Sequence, residues 1–269
     1  MLHPLRPALA LLLMFCTASV RAGGLFDAPK PPLIYSDRQQ PLLRLQRVWS
    51  RSGVSGKGNY YDASAAMPLP LYSDMHASST GFFMNAVLGA AARFGLSAPD
   101  GLYASEYTGG LSMVNRSYSG DIELYVYRRG SHLGDSAIYG NYGYEQRTVS
   151  RDVVRLLYFS TPESFFPGAY GGSYILGKTP SSPSGRFSLQ YSMEVPVSRN
   201  AFIGGTFVVS QEYAWALDSN LQAGVRLGSD KNDTRRPALV LEYHNGASPY
   251  GQFYAGKENT LSLGFVGAL

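Results

Sequence analysis

The sequence predicts an all-β protein: an antiparallel transmembrane β-barrel of about 10–12 strands, preceded by an N-terminal signal peptide. Three observations carry this. Apolar and polar residues alternate in segment after segment. The polar faces hold charged groups that a dry core does not accept unpaired. The chain opens like an exported protein.

The alternation is clearest at Asp121 to Arg129. Ile122, Leu124 and Val126 share one face, and Glu123, Tyr125 and Tyr127 the other, as period two requires. Val149 to Ser160 repeats the pattern, with Val153, Arg155 and Leu157 opposite Val154, Leu156 and Tyr158. In Phe187 to Val195, apolar Phe187, Leu189, Tyr191, Met193 and Val195 alternate with Ser188, Gln190, Ser192 and Glu194, and Arg186 precedes them. Leu221 to Leu227 and Leu239 to Tyr243 do the same, carrying Arg226 and Glu242. The chain ends in period two on Leu261, Leu263, Phe265 and Gly267, up to Leu269. A periplasmic sandwich would show the same alternation. The export signal, the tyrosine-rich composition suited to interfacial girdles and the alternating last strand favour the barrel.

Composition agrees. Charged residues are 16% of the 269, below the usual ~25%. Tyr numbers 20 against 2 Trp, and the 30 Gly are spread along the chain, as suits strands joined by turns. A net charge of +4 without a basic block argues against a nucleic-acid partner. The single Cys, Cys16, lies in the expected signal, so the mature chain has no thiol for a disulfide or a cysteine metal site.

In order, residues 1–22 read as the signal peptide, with the apolar run Ala8 to Cys16 and a cleavage site after Ala22. Residues 23–41, rich in proline, read as a periplasmic leader, and 42–269 as the barrel. Arg51 to Thr80 reads as a long loop with a short helix near Ala63 to Ala66. Phe82 to Phe94 reads as a strand despite its alanines. Gly109-Gly110 reads as a bend or bulge within Leu102 to Val114, Ala137 to Tyr144 as a loop, and Tyr250 to Ala255 as a short strand.

The densest cluster of reactive groups is Ser131, His132 and Asp135. Ser131 as nucleophile, His132 as base and Asp135 as orienting acid would make a barrel-embedded lipid hydrolase. Neighbours on an extended strand point to opposite faces, so Ser131 and His132 share a proton only if Gly130 and Gly134 bend the chain sharply; His76 or His244 is the alternative base. The competing reading has no covalent chemistry: a channel, a solute or lipid binder, or a structural component. In it Arg128, Arg155, Arg186 and Arg226 line the lumen and pair with Glu123, Glu194 and Glu242. A metal site on His132, Asp135 and Glu145 lacks ligand spacing, and no cofactor or metal is expected.

Four short segments resemble one family of bacterial outer-membrane proteins, domain-of-unknown-function family twelve hundred and seven. They are Pro32 to Asp37, Ser131 to Asp135, Tyr170-Gly171-Gly172 and Ser248 to Phe253. The resemblance implies a barrel of about twelve strands in the outer membrane of a Gram-negative bacterium and no assigned activity. The expected partners are outer-membrane lipid and lipopolysaccharide, with the barrel-assembly machinery during insertion. In that family the central motif follows a His-x-Ser step similar to that of outer-membrane phospholipase A. Here Arg128 and Gly130 stand at those positions, which weakens the hydrolase reading.

Overall fold

The computed structural model describes residues 33–38, 42–52, 58–75, 80–95, 101–134, 148–162, 164–165, 167–179, 186–228, 236–248, 250 and 256–267. Twelve antiparallel strands close into a barrel: β1 Leu43–Ser52, β2 Gly58–Met75, β3 Gly81–Gly95, β4 Gly101–Ser117, β5 Gly120–Leu133 and β6 Val149–Ser160. The wall continues through β7 Ala169–Thr179, β8 Phe187–Pro196, β9 Ala201–Ser210, β10 Leu217–Arg226, β11 Ala238–Ala247 and β12 Lys257–Gly267. Each strand pairs with its sequence neighbours. β12 returns to β1 in register from Leu43 opposite Gly267 to Ser50 opposite Thr260, so the wall has no free edge strand. A one-turn 3₁₀ helix, Gln211–Tyr213, joins β9 to β10.

Period two sorts the side chains as the sequence suggests, and the apolar face points out, as in a transmembrane barrel. Leu221, Val225, Leu239, Leu241, Leu261, Leu263 and Phe265 are exposed on the outside of β10 to β12. Their alternating neighbours Gln222, Glu242, Thr260 and Ser262 are buried inside. The interior is polar, with four small apolar clusters along it, and includes Arg93 and Arg155 at 0% and 1% exposure. Such residues are stable inside only because each ion meets a counter-ion.

Two sequence expectations change. The region read as a loop with a helix at Ala63 to Ala66 holds β2, 18 residues long. The prolines misled: Pro68 and Pro70 lie beyond Ser64, where the pairing with β1 ends, so that side of β2 needs no N–H from them. The irregularity expected at Gly109-Gly110 falls instead at Tyr103, between the pairs Arg93–Ala104 and Phe94–Leu102. Pairing runs unbroken through Gly110, and glycine is needed there because a Cβ would sit 2.4 Å from the Val126 carbonyl oxygen. Most of the expected loop Ala137 to Tyr144 and strand Tyr250 to Ala255 lies outside the described residues.

The two ends of the barrel differ. One end carries the start of β1, the end of β12 and the tight turn at Tyr118 and Ser119 between β4 and β5. The other, the loop end, carries the connections after β1, β3, β5, β7, β9 and β11.

Candidate functional site: a stoppered lumen

Residues 33–38, part of the segment read as a leader ahead of the barrel, are packed inside it. Ile34, Tyr35, Ser36 and Asp37 are all buried. A turn closed by the Asp37 N–H donating to the Ile34 carbonyl at 3.0 Å folds the segment back on itself. Leu42 then returns to the wall beside Val266.

The segment is fastened to β1 and to the strands from β6 to β11. The Tyr35 hydroxyl donates to the Arg236 carbonyl at 2.6 Å, and its ring packs 5.7 Å from Phe202 on β9. Ser36 shares a 2.9 Å hydrogen bond with Thr206 on β9, and its carbonyl accepts from Asn220 on β10 at 2.7 Å. The Asp37 carboxylate accepts from Gln190 on β8 at 2.9 Å and from Arg155 on β6 at 3.2 Å. Arg38 donates through Nε to Glu242 on β11 at 2.8 Å, and Arg44 on β1 donates to the Tyr35 carbonyl. Ile34 adds an apolar contact with Leu157, Phe159 and Ala169.

Around this stopper the wall forms ionic networks. Glu242 receives Arg38, Arg44 and Gln222. Glu123 accepts from Ser112 at 2.6 Å and lies 3.8 Å from Arg155. Glu194 pairs with Arg226. Nearer the loop end, Arg93 is fully buried between Asp62 at 2.8 Å and Glu258 at 3.0 Å, with the Tyr60 and Tyr250 rings over its guanidinium at 5.2 and 4.8 Å. Glu106 pairs with Arg129, while Glu212 pairs with Arg151 at 3.1 Å and with Lys178.

Of the residues singled out in the sequence as lumen-lining, Glu123, Arg155, Glu194, Arg226 and Glu242 face the interior. Arg186 stands at the loop-end rim just ahead of β8 and borders the lumen cavity. Arg128 is a correction: it points outward, with its side chain 67% exposed, 3.6 Å from Asp152. Its number shares the parity of Ile122, Leu124 and Val126, so period two carries it to their face. Sequence reasoning missed Arg44, Asp62, Arg93, Glu106, Arg129 and Glu258, and all of Tyr35 to Arg38. For some of the strand residues among them parity was the available signal: Arg129 shares that of Glu123, Tyr125 and Tyr127, and Arg44 lies between Leu43 and Leu45.

Of the reactive cluster, Ser131 and His132 do not meet. Ser131 faces inward, 1% exposed, while His132 faces outward, with its Nδ1 3.2 Å from Thr148 Oγ1 and its ring against Tyr107. Asp135, like His76 and Glu145, lies outside the described residues. His244 does border the same cavity as Ser131 and sits 3.6 Å from Asp218. Yet Ser131 is on β5 and His244 on β11, six strands apart either way round. Twelve strands at about 4.8 Å spacing give a bore of roughly 18 Å between backbones, too wide for a serine and a histidine to share a proton. His244 Nε2 is in addition 2.9 Å from the Ala247 carbonyl. Among the described residues no group of three His, Cys, Asp or Glu could hold a metal ion.

Between the stopper and the loop end lies a cavity of about 150 Å³. Ser36, Asp37 and Arg38 form part of its floor. Its wall includes Arg129, Ser131, Arg151, Arg186, Tyr213 and Asn220. Burial holds the Tyr213 phenol, on the loop-end 3₁₀ helix, up at about 12, so it remains a hydroxyl donor at neutral pH.

Solved structures share this architecture. Outer membrane phospholipase A from Escherichia coli superposes with a TM-score of 0.58 at 11% identity, covering 84% of this chain and 92% of that one. The Salmonella typhi outer membrane phospholipase dimer with bound calcium gives 0.55 at 12% identity, over 86% and 94%. The KdgM porin gives 0.45 at 10% identity, over 85% and 99%. At such identities the first two establish a shared fold and no shared chemistry. No curated protein matches the chain. The sequence matches, over residues 14–266, the family described as "Protein of unknown function (DUF1207)", and the chain belongs to that family.

Proposed function

We propose that the protein is an outer-membrane barrel held closed by its own N-terminal segment, and that it binds solute in the cavity above this stopper instead of passing it freely. One observation carries the reading: Tyr35 to Arg38 lies across the bore with partners on β1, β6, β8, β9, β10 and β11. An open diffusion pore needs a continuous wet path, and here that path meets a buried peptide. Membrane residence is supported by the exposed leucines, valines and phenylalanines outside the wall, the charged interior, and the likeness to outer-membrane barrels.

The test is planar-bilayer conductance of the full chain beside a variant lacking residues 33–38. The intact protein should insert with no steady ohmic conductance, and the deletion should conduct. A steady conductance in the intact protein that the deletion leaves unchanged would overturn the proposal.

A further inference from the structure

We infer that the loop-end cavity is a binding site for a small polyhydroxylated anion, a monosaccharide bearing a carboxylate or a phosphate. This rests on the preceding reading only in taking Ser36 to Arg38 as the floor.

The charge is laid out on one side. Arg129 on β5, Arg151 on β6 and Arg186 ahead of β8 border the cavity. Two acids border it: Asp37 in the floor, already paired with Arg155 and Gln190, and Asp218 on β10, 3.6 Å from His244. Arg129 and Arg151 are held in place by Glu106 and Glu212, neither of which borders the cavity. Their forks are therefore pre-set, and a ligand spends little to order them. Arg186 differs. Among the described residues no carboxylate meets it, and its guanidinium donates to the Leu176 carbonyl at 3.5 Å. It is the cation with capacity for an arriving anion.

The hydroxyl side of the argument is independent of the charge. Ser131 is 1% exposed, borders the cavity, and its Oγ has no hydrogen-bond partner. A buried hydroxyl left unpaired costs free energy that a ligand hydroxyl would recover. Ser173, Ser188, Thr206 and Ser210 border the same space. Hydroxyls both donate and accept, so they suit a partner that does the same. Bare arginines alone would suit any anion; arginines beside a ring of hydroxyls select an anion that carries hydroxyls of its own.

The experiment is isothermal titration of the full-length protein in detergent with four probes: glucuronate, glucose 6-phosphate, glucose and inorganic phosphate. At least one charged sugar should bind, and which one identifies the anionic group. Glucose should bind at least about tenfold more weakly, the worth of one charge-assisted hydrogen bond. Arg186→Glu should weaken the charged sugar at least about tenfold, and Ser131→Ala about threefold to tenfold. Both variants should keep the gel mobility of the closed barrel, since neither residue holds a wall contact to another strand's side chain. No binding by either charged sugar, glucose binding equal to theirs, inorganic phosphate matching glucose 6-phosphate, or no effect of both substitutions overturns the inference. None of these results depends on conductance. A closed barrel that binds nothing refutes this site alone; a conducting barrel that binds refutes the stopper alone.

Discussion

Asp37→Ala tests the stopper most directly. The carboxylate is buried and takes two side-chain hydrogen bonds, one of them from Arg155, whose side chain is 1% exposed. Deleting it leaves Arg155 with Glu123 at 3.8 Å as its remaining counter-ion in this network. Breaking such a buried pair costs about 3–5 kcal/mol. The segment docks by a small margin. Each of its neutral hydrogen bonds is worth about 1 kcal/mol net, and each charged one about 1.5–3. Ordering its backbone opposes them at about 1–2 kcal/mol per residue. A loss of about 3–5 kcal/mol therefore exceeds or matches the margin and shifts the balance toward an undocked segment by a factor of roughly 10² to 5 × 10³. The assay is single-channel recording. Asp37→Ala should show frequent openings where the parent stays closed, while its gel mobility before boiling still marks a closed barrel. A variant that inserts and remains as silent as the parent would refute the argument, because the segment would then be held by something other than its polar contacts.

Three further outcomes follow from the wall. Arg93→Met removes a fully buried cation from between Asp62 and Glu258 and leaves the buried Glu258 carboxylate without its counter-ion. It should lower barrel stability by about 3–5 kcal/mol, read as a lower temperature for the loss of compact gel mobility, and an unchanged temperature would refute the ion-pair account. Leu241→Arg places a charge on the exposed apolar outside of β11. Folding into bilayers should weaken by up to about 2–4 kcal/mol, whereas equal folding would show that this face does not meet lipid. Gly110→Val drives a side chain into the Val126 carbonyl and the Tyr127 Cβ, 2.4 and 2.5 Å from the new Cβ. It should abolish closure of the wall, while a heat-modifiable variant in normal yield would contradict the close approach described there.

Much of the wall was legible because alternation is a local property. Ile122 through Tyr127, Phe187 through Val195 and Leu239 through Tyr243 each announce two faces within a few residues. Alternation is silent on which face turns inward, and the charges settled that: Arg155, Arg226 and Glu242 need partners, and only an interior supplies them from several strands. Reading Arg128 as interior put its charge ahead of its parity. β2 was hidden because proline usually breaks a strand, and the exception at Pro68 and Pro70 depends on where β1 starts. The stopper was invisible for another reason. Arg38 meets Glu242 across 204 positions and Asp37 meets Gln190 across 153. No local pattern encodes contacts of that span; at sequence level the segment is a proline-rich stretch followed by Leu33-Ile34-Tyr35 and a polar run, with no alternation.

Those same spans fix the order of events as the chain folds. The segment is made early, but its partners on β6, β8, β10 and β11 arrive long afterwards, and they surround a bore only when β12 has joined β1. Docking against all of these strands can therefore be complete only after the wall has closed. Substitutions in Tyr35 to Arg38 should leave the folding rate untouched and act on the speed of release. The N-terminal segment behaves as a latch that drops after the door has shut, and its strength sets how long the door stays shut, not how fast it closes.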